Sequence, residues 1–185
     1  MVQNRNIEME IILTLLRSKS HLREIGREIK ESHSTVLRKI NGLVKEGILD
    51  YKKEGKNKIF FIRNNLRAKN HVYAAEIYKL SKLISKHSEL SIIFEDIKKT
   101  IVTGMIVLFG SYAKGIEKRE SDIDIYIETK NNNVKSKVKE LNSRLNPKIG
   151  VFDANSLLIR EILKNHVVIR GVEEFYEKSK FFEQT

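Results

Sequence analysis

Apolar residues in the first 47 positions recur every three or four residues, the spacing that lines one face of a helix. Three segments show this pattern, at 7–16, 22–29 and 36–44. Ser20 is expected to cap the second helix, and Gly47 to close the third, because glycine tolerates a left-handed backbone. The pattern predicts three short helices.

Two runs rich in β-forming residues follow, at 48–53 and 59–63, joined by a turn at 54–58 that contains Gly and Asn. Three helices before a basic-tipped hairpin are similar to the winged helix-turn-helix domain of prokaryotic transcription regulators, over residues 6–65. The resemblance implies double-stranded DNA as a partner. The alternative is a winged helix that contacts protein, with its lysines merely solvated.

In such a domain the start of the third helix enters the major groove and the wing contacts phosphates, which position the protein without specifying sequence. The candidate DNA-binding residues on the helix and the turn before it are Ser32, His33, Ser34, Thr35, Arg38 and Lys39. Those on the wing are Lys52, Lys53, Lys56 and Lys58.

The charge of the chain fits a polyanionic partner. Lys and Arg number 35 against 24 Asp and Glu, a net charge of +11, and residues 1–66 hold 14 basic and 8 acidic residues, a net of +6. A basic composition without nucleic-acid binding is the competing explanation. The chain has no Cys, so disulfides and thiolate metal sites are excluded.

Residues 67–99 contain no Pro or Gly and predict a linker helix, with a break at 87–91. Its apolar stripe has heptad spacing over about two heptads. The stripe consists of Tyr73, Ile77, Leu80, Ile84 and His87. It favours a homodimer, and packing on the protein's own domain explains it equally well.

The candidate chemistry lies further on, after the all-apolar run 105–109 that is typical of a strand buried on both faces. Asp122 and Asp124 alternate with isoleucines, so a strand projects both carboxylates from one face. Two carboxylates suit Mg²⁺, which completes its shell with water and substrate phosphates. Gly110 and Ser111 follow the apolar run and are expected to cradle a triphosphate.

The stretch LFGSYAKGIEKRESDIDIYI closely resembles the signature of the DNA-polymerase-β-like nucleotidyltransferases, in particular the minimal ones. The resemblance implies transfer of a nucleoside monophosphate from a nucleoside triphosphate to a hydroxyl acceptor. It implies Asp122 and Asp124 as catalytic residues that hold Mg²⁺ or Mn²⁺, and Gly110 and Ser111 as the nucleotide-binding pair.

Such enzymes place a third carboxylate on a neighbouring strand, and the corresponding position here is expected to be Gly150. Asp153 follows three residues later and faces the other side of a regular strand. Glu128 shares the face of Asp124 but lies about 13 Å along it, at ~3.3 Å per residue. The sequence thus indicates weak or absent turnover, with a Gly150→Asp change expected to raise it.

These observations predict an α+β chain: a winged helix-turn-helix at 1–66, a linker helix at 67–99, and at 100–185 a polymerase-β-like fold with a mixed sheet and flanking helices. We expect a cytoplasmic transcription regulator whose second domain binds a Mg-nucleoside triphosphate. The alternative is an active nucleotidyltransferase acting on protein, RNA or a small molecule, with an antitoxin-like role as one form of it. No apolar run approaches a membrane span, and no signal peptide is expected.

Overall fold

The computed structural model describes residues 5–183 and confirms the α+β class. The chain divides into two compact units. The N-terminal unit comprises residues 5–78 together with 181–183, and the C-terminal unit comprises residues 79–180. The division between the units falls inside the long helix that follows the hairpin.

The N-terminal unit has the element order of a winged helix-turn-helix. Its helices are α1 (Ile7–Arg17), α2 (Leu22–Glu28), α3 (His33–Lys45) and the first part of α4 (Leu66–Lys86). Its strands are β1 (Ser20–His21), β2 (Leu49–Glu54) and β3 (Asn57–Ile62). They form an antiparallel sheet in the order β1-β3-β2. The short 3₁₀ helix Phe181–Glu183 also belongs to this unit.

Local sequence explains most of these elements, with one correction. Asn6 caps α1, its side chain accepting the backbone N–H groups of Glu8 and Met9. The expected cap at Ser20 is wrong, because Ser20 is buried in β1, opposite Phe60 of β3, and α2 begins two residues later. A two-residue strand carries too little periodicity to be seen in the sequence.

The C-terminal unit wraps helices around a mixed four-stranded sheet. The helices are α5 (Ser88–Thr100), α6 (Gly110–Lys114), α7 (Asn133–Leu141), α8 (Leu157–Lys164) and α9 (Val172–Lys178). The strands are β4 (Ile106–Phe109), β5 (Ile123–Glu128), β6 (Leu145–Gly150) and β7 (Val167–Arg170). Their order is β6-β5-β4-β7; β5 and β6 are parallel and the other pairs antiparallel.

Burial of β4 anchors this sheet. All four β4 residues are buried, and the isoleucines of β5 lie in the same core as Leu90 and Ile97 of α5. Because β4 and β5 run antiparallel, the end of β4 lies beside the beginning of β5, where Phe109 pairs with Asp124. The core therefore holds the two halves of the candidate site together.

The linker segment is two helices, and the break expected at 87–91 lies between α4, which ends at Lys86, and α5, which begins at Ser88. Its apolar stripe does not form one surface. Leu80 and Ile84 pack against the core of the C-terminal unit, whereas Ile77 is 59% exposed. The homodimer stays a prediction. Within residues 5–183, no helix is long and apolar enough to cross a membrane.

Candidate functional site

The Gly-Ser turn and Asp124 lie against each other. Gly110 follows β4 with a φ of +70°, a conformation that suits glycine, and a Cβ at this position would overlap Oδ2 of Asp124. Ser111 is half-buried in the first turn of α6, which Gly115 closes with a left-handed backbone. The absence of a side chain at Gly110 thus lets the α6 backbone approach the carboxylate directly.

The two aspartates differ in environment. Asp122 is exposed just before β5, and Asp124 is half-buried within the strand. Burial raises the pKa of the Asp124 carboxyl, and the nearby charges of Asp122 and Glu161 raise that pKa further. The hydrogen bond from Asn146 and the charge of Lys148 lower it. A carboxylate held in such surroundings favours a cation as partner.

Asn146 occupies the position on β6 that faces Asp124. The parallel register pairs these two residues, and Asn146 Nδ2 donates a hydrogen bond to Asp124 Oδ1 over 2.7 Å. A carboxylate at residue 146 would therefore lie directly beside Asp124. The resemblance requires a third carboxylate at this position. Asn146 has an amide there, which supplies no negative charge.

The expectation that Gly150 occupies the position of the third carboxylate is wrong. Gly150 pairs with Glu128, four residues beyond Asp124 and about 13 Å away at ~3.3 Å per residue. Asp153 lies further on, in the loop after β6, where its carboxylate accepts the backbone N–H of Asn155. The Glu128 carboxylate is bonded to Lys178 and to the backbone of Phe152. None of the three reaches the aspartates.

Two further side chains near Asp124, those of Lys148 and Glu161, were missed in the sequence. Lys148 lies two residues after Asn146 on β6, and Glu161 projects from α8. Glu161 Oε1 forms an ion pair with Lys114 Nζ at 2.9 Å. Only the tertiary fold brings α8 to β5, so no signal in the sequence relates Glu161 to Asp124.

The donor set of the site meets part of the needs of a divalent cation. Within the described residues no group of three or more His, Cys, Asp or Glu side chains is arranged to hold a metal ion. Asp122 and Asp124 fit one Mg²⁺ that also binds phosphate oxygens, since Mg²⁺ commonly takes one or two carboxylates and completes its shell with water and substrate. They do not supply a third carboxylate for a second metal.

In the N-terminal unit, the start of α3 presents most of the predicted base-reading residues. His33, Ser34 and Arg38 are exposed. The Ser32 hydroxyl caps α3 by accepting the backbone N–H of Thr35, and it donates to the Thr35 hydroxyl over 2.9 Å. These two hydroxyls are therefore engaged within the turn.

Two residues of α3 change the predicted surface. Lys39 forms an ion pair with Glu8 at 2.9 Å, which ties it to α1. Asn41, missed in the sequence, is exposed and lies on the same side of the helix as Ser34 and Arg38, because residues three and four apart share a face. An Asn side chain can pair with the adenine edge in the major groove.

The wing lysines do not share one face of the hairpin. Lys53 lies directly opposite Lys58, while Lys52 alternates to the other face, where it and Lys19 lie over the Phe61 ring at 5.8 and 5.5 Å. Lys56 stands in the two-residue turn. Like charges directly opposite each other on a sheet are unfavourable, and a polyanion relieves that repulsion.

Beside α6 lies a buried carboxylate. The Glu117 side chain is 6% exposed; Lys86 donates to its Oε1, and His87 Nε2 is 2.9 Å from the same oxygen. The hydrogen bond from Lys86 is the main cause that lowers the pKa of Glu117, against the effect of burial. Glu117 is therefore an ionised group inside the C-terminal unit.

Replacing Glu117 by Gln is expected to destabilise the protein by about 1–3 kcal/mol at pH 7, the worth of hydrogen bonds to a charged group. Because the folded-state pKa is lowered, this stabilisation is present above the ordinary carboxyl pKa of 4.5 and is lost as the pH falls through the folded value. Urea unfolding at pH 7 and pH 3 measures this, with the exposed Glu120→Gln as control. A difference as large at pH 3 would contradict the assignment.

Comparison with known protein families finds a match in the C-terminal unit. Residues 92–174 match the family described as polymerase beta, nucleotidyltransferase. The C-terminal unit thus contains a nucleotidyltransferase-like domain, and the winged-helix-like unit precedes it. None of the curated proteins matches the sequence significantly.

One solved structure that the chain is similar to is the adhesin competence repressor (AdcR) from Streptococcus pyogenes. The identity is 18%, over 51% of this chain and 77% of that one, with a TM-score of 0.35. This similarity is too low to define a shared fold.

Proposed function

We propose that this protein is a DNA-binding transcription regulator whose nucleotidyltransferase-like domain binds a Mg-nucleoside triphosphate with weak or absent turnover. The observation that carries the proposal is Asn146, whose amide faces Asp124 where a third carboxylate would serve transfer. Without that carboxylate the site lacks the group that would help to deprotonate an acceptor hydroxyl. The residues expected to bind the nucleotide, namely Gly110, Ser111, Asp122 and Asp124, are still present.

The nucleotide-binding part rests on Gly110, Ser111 and the two aspartates. Asp122 and Asp124 would hold Mg²⁺ together with the phosphates, and the metal would offset the negative charge of the triphosphate. Because Gly110 has no side chain, the start of α6 lies directly against Asp124, and backbone N–H groups there would be donors for a phosphate held at the carboxylates. Lys148 and Lys114 add positive charge close by.

The DNA-binding part rests on the surface of the N-terminal unit. His33, Ser34, Arg38 and Asn41 form an exposed stripe on α3, suited to base edges. The wing adds lysines on both faces of its hairpin, suited to phosphates. A homodimer would let two such units read two half-sites.

Replacing Asp122 and Asp124 together by Asn is expected to abolish Mg²⁺-dependent ATP binding and leave the fold intact. The change removes two negative charges and keeps the side-chain shape, and an Asn at 124 can still accept the hydrogen bond from Asn146. Calorimetry with ATP and Mg²⁺ measures the loss. The matched control is Asp96→Asn with Asp153→Asn, two aspartates away from the site. Equal ATP binding by the wild type and the Asp122/Asp124 variant would refute the assignment.

Active nucleotidyl transfer is the second candidate function, with an antitoxin-like role as one form of it, and Glu161 favours transfer. Its charge acts on Asp124 from α8, so a carboxylate outside the expected strand is near the pair. Incubation with radiolabelled ATP and protein or RNA acceptors tests this. Rapid labelling by the wild type, lost in Glu161→Gln, would establish transfer in place of simple binding.

A further inference from the structure

Among the described residues, Lys148 is the cation beside the aspartate pair that forms no ion pair. The other nearby ammonium, that of Lys114, is bound to Glu161 at 2.9 Å. Lys148 is exposed, and it also makes no hydrogen bond within this part of the chain. Its charge still acts on Asp124, since it lowers the pKa of that carboxyl. The Lys148 ammonium is therefore close to the site and open to a ligand.

The strand register places Lys148 on the same side of the sheet as Asp124. Asn146 pairs with Asp124 and Lys148 pairs with Tyr126, and side chains two apart on a strand project from one face. The two β6 residues lie about 6.6 Å apart along the strand, at ~3.3 Å per residue. The flexible four-carbon stem of lysine can span that distance, so its ammonium can reach the space beside the Asn146 amide. Because β6 is the edge strand of this sheet, a ligand can approach Lys148 from solvent.

The carboxylates of the site can balance only one divalent ion. Asp122 and Asp124 together carry the negative charge that one Mg²⁺ neutralises, so the pair with a single ion leaves the charge of a triphosphate uncompensated. A second ion would have to share the same two carboxylates, because Asn146 is an amide and no third His, Cys, Asp or Glu of the described residues joins them in a metal site. A lysine ammonium is a compact charge with three donors, and it needs no such ligands.

We propose that this site holds a single Mg²⁺ with the nucleoside triphosphate and that the Lys148 ammonium binds the phosphates in place of a second ion. The proposal rests on the proposed nucleotide binding at Asp122 and Asp124, and it adds the number of ions and the residue that replaces one of them. It gives two neighbours on β6 a joint role. The Asn146 amide removes a ligand of the second ion, and Lys148 supplies the positive charge that this ion would have brought.

Equilibrium dialysis of the full chain against radiolabelled ATP and Mn²⁺ tests the proposal, with bound manganese measured by elemental analysis. Manganese bound elsewhere is subtracted with the variant in which Asp122 and Asp124 are both Asn. The wild type is expected to hold one Mn²⁺ per bound ATP. Lys148→Gln should weaken ATP binding about 10-fold or more, the effect of losing a charge-assisted contact, whereas Lys148→Arg should keep most of the affinity. Asn146→Asp combined with Lys148→Gln should recover binding and hold two Mn²⁺ per ATP, because the new carboxylate provides a ligand for the second ion.

Lys139→Gln is the matched control, because it removes one positive charge from an exposed position on α7. The neighbouring Val138 packs with the isoleucines of β5, on the side of the sheet opposite Asp124. Two Mn²⁺ per ATP in the wild type, or an effect of Lys148→Gln no larger than that of Lys139→Gln, would overturn the proposal while ATP binding itself stands. If the wild type binds no ATP, the proposed nucleotide site fails and this inference fails with it.

Discussion

Replacing Asn146 by Asp is expected to raise nucleotidyl transfer by about 10²- to 10⁴-fold, the typical worth of a positioned general base. The change places a third carboxylate on β6, where Asn146 now donates to Asp124 over 2.7 Å. Release of labelled pyrophosphate from ATP in the presence of hydroxyl acceptors measures the gain. The same variant should also depend more strongly on Mg²⁺, because two carboxylates so close together resist ionisation without a cation between them.

Gly150→Asp is the matched control for that experiment. It adds the same side chain to the same strand, and a Cβ at Gly150 meets no atom within 4 Å, so the variant should fold. Because residue 150 pairs with Glu128 and not with Asp124, transfer should stay at the wild-type level. An increase in Gly150→Asp but not in Asn146→Asp would show that residue 146 is not the third position.

Removing the four wing lysines, 52, 53, 56 and 58, is expected to weaken binding to duplex DNA by about 10³-fold at 0.1 M salt. The slope of log K against log salt is negative, and each lost phosphate contact reduces its magnitude by ~0.9, so the magnitude should fall by about 3 to 4. Gel shifts over a series of salt concentrations measure both quantities. The loss should be the same for every DNA sequence, because phosphate contacts carry no sequence information.

A four-lysine variant of the C-terminal unit separates this effect from the net charge of the chain. Lys98, Lys99, Lys135 and Lys137 are exposed, and changing them to Gln removes the same charge. Two double variants then identify the face of the wing that contacts DNA, namely Lys53 with Lys58 and Lys19 with Lys52. If the wing variant and the C-terminal control weaken binding equally, the wing is not a DNA contact.

The spacing of apolar residues along the chain was sufficient to predict most of the secondary structure. Apolar residues three or four apart marked α1 to α3, and the alternation of Asp122 and Asp124 with isoleucines marked β5. The break between α4 and α5 was also visible. Strand β1 was not visible in the sequence, because two residues carry no periodicity. Ser20 is placed by its pairing with Phe60, which lies far along the chain.

The sequence by itself determined that a Gly-Ser turn follows a buried strand and that Asp122 and Asp124 lie at the start of the next strand, since these features depend only on neighbouring residues. The register between β5 and β6 was decided by the tertiary structure, and it places Asn146, and not Gly150, beside Asp124. The tertiary structure also decided that Glu161 lies near Asp124 and that the Glu117 carboxylate is buried. Pairing between strands depends on how the whole core packs, and a shift of four residues leaves the alternation of inward and outward side chains unchanged.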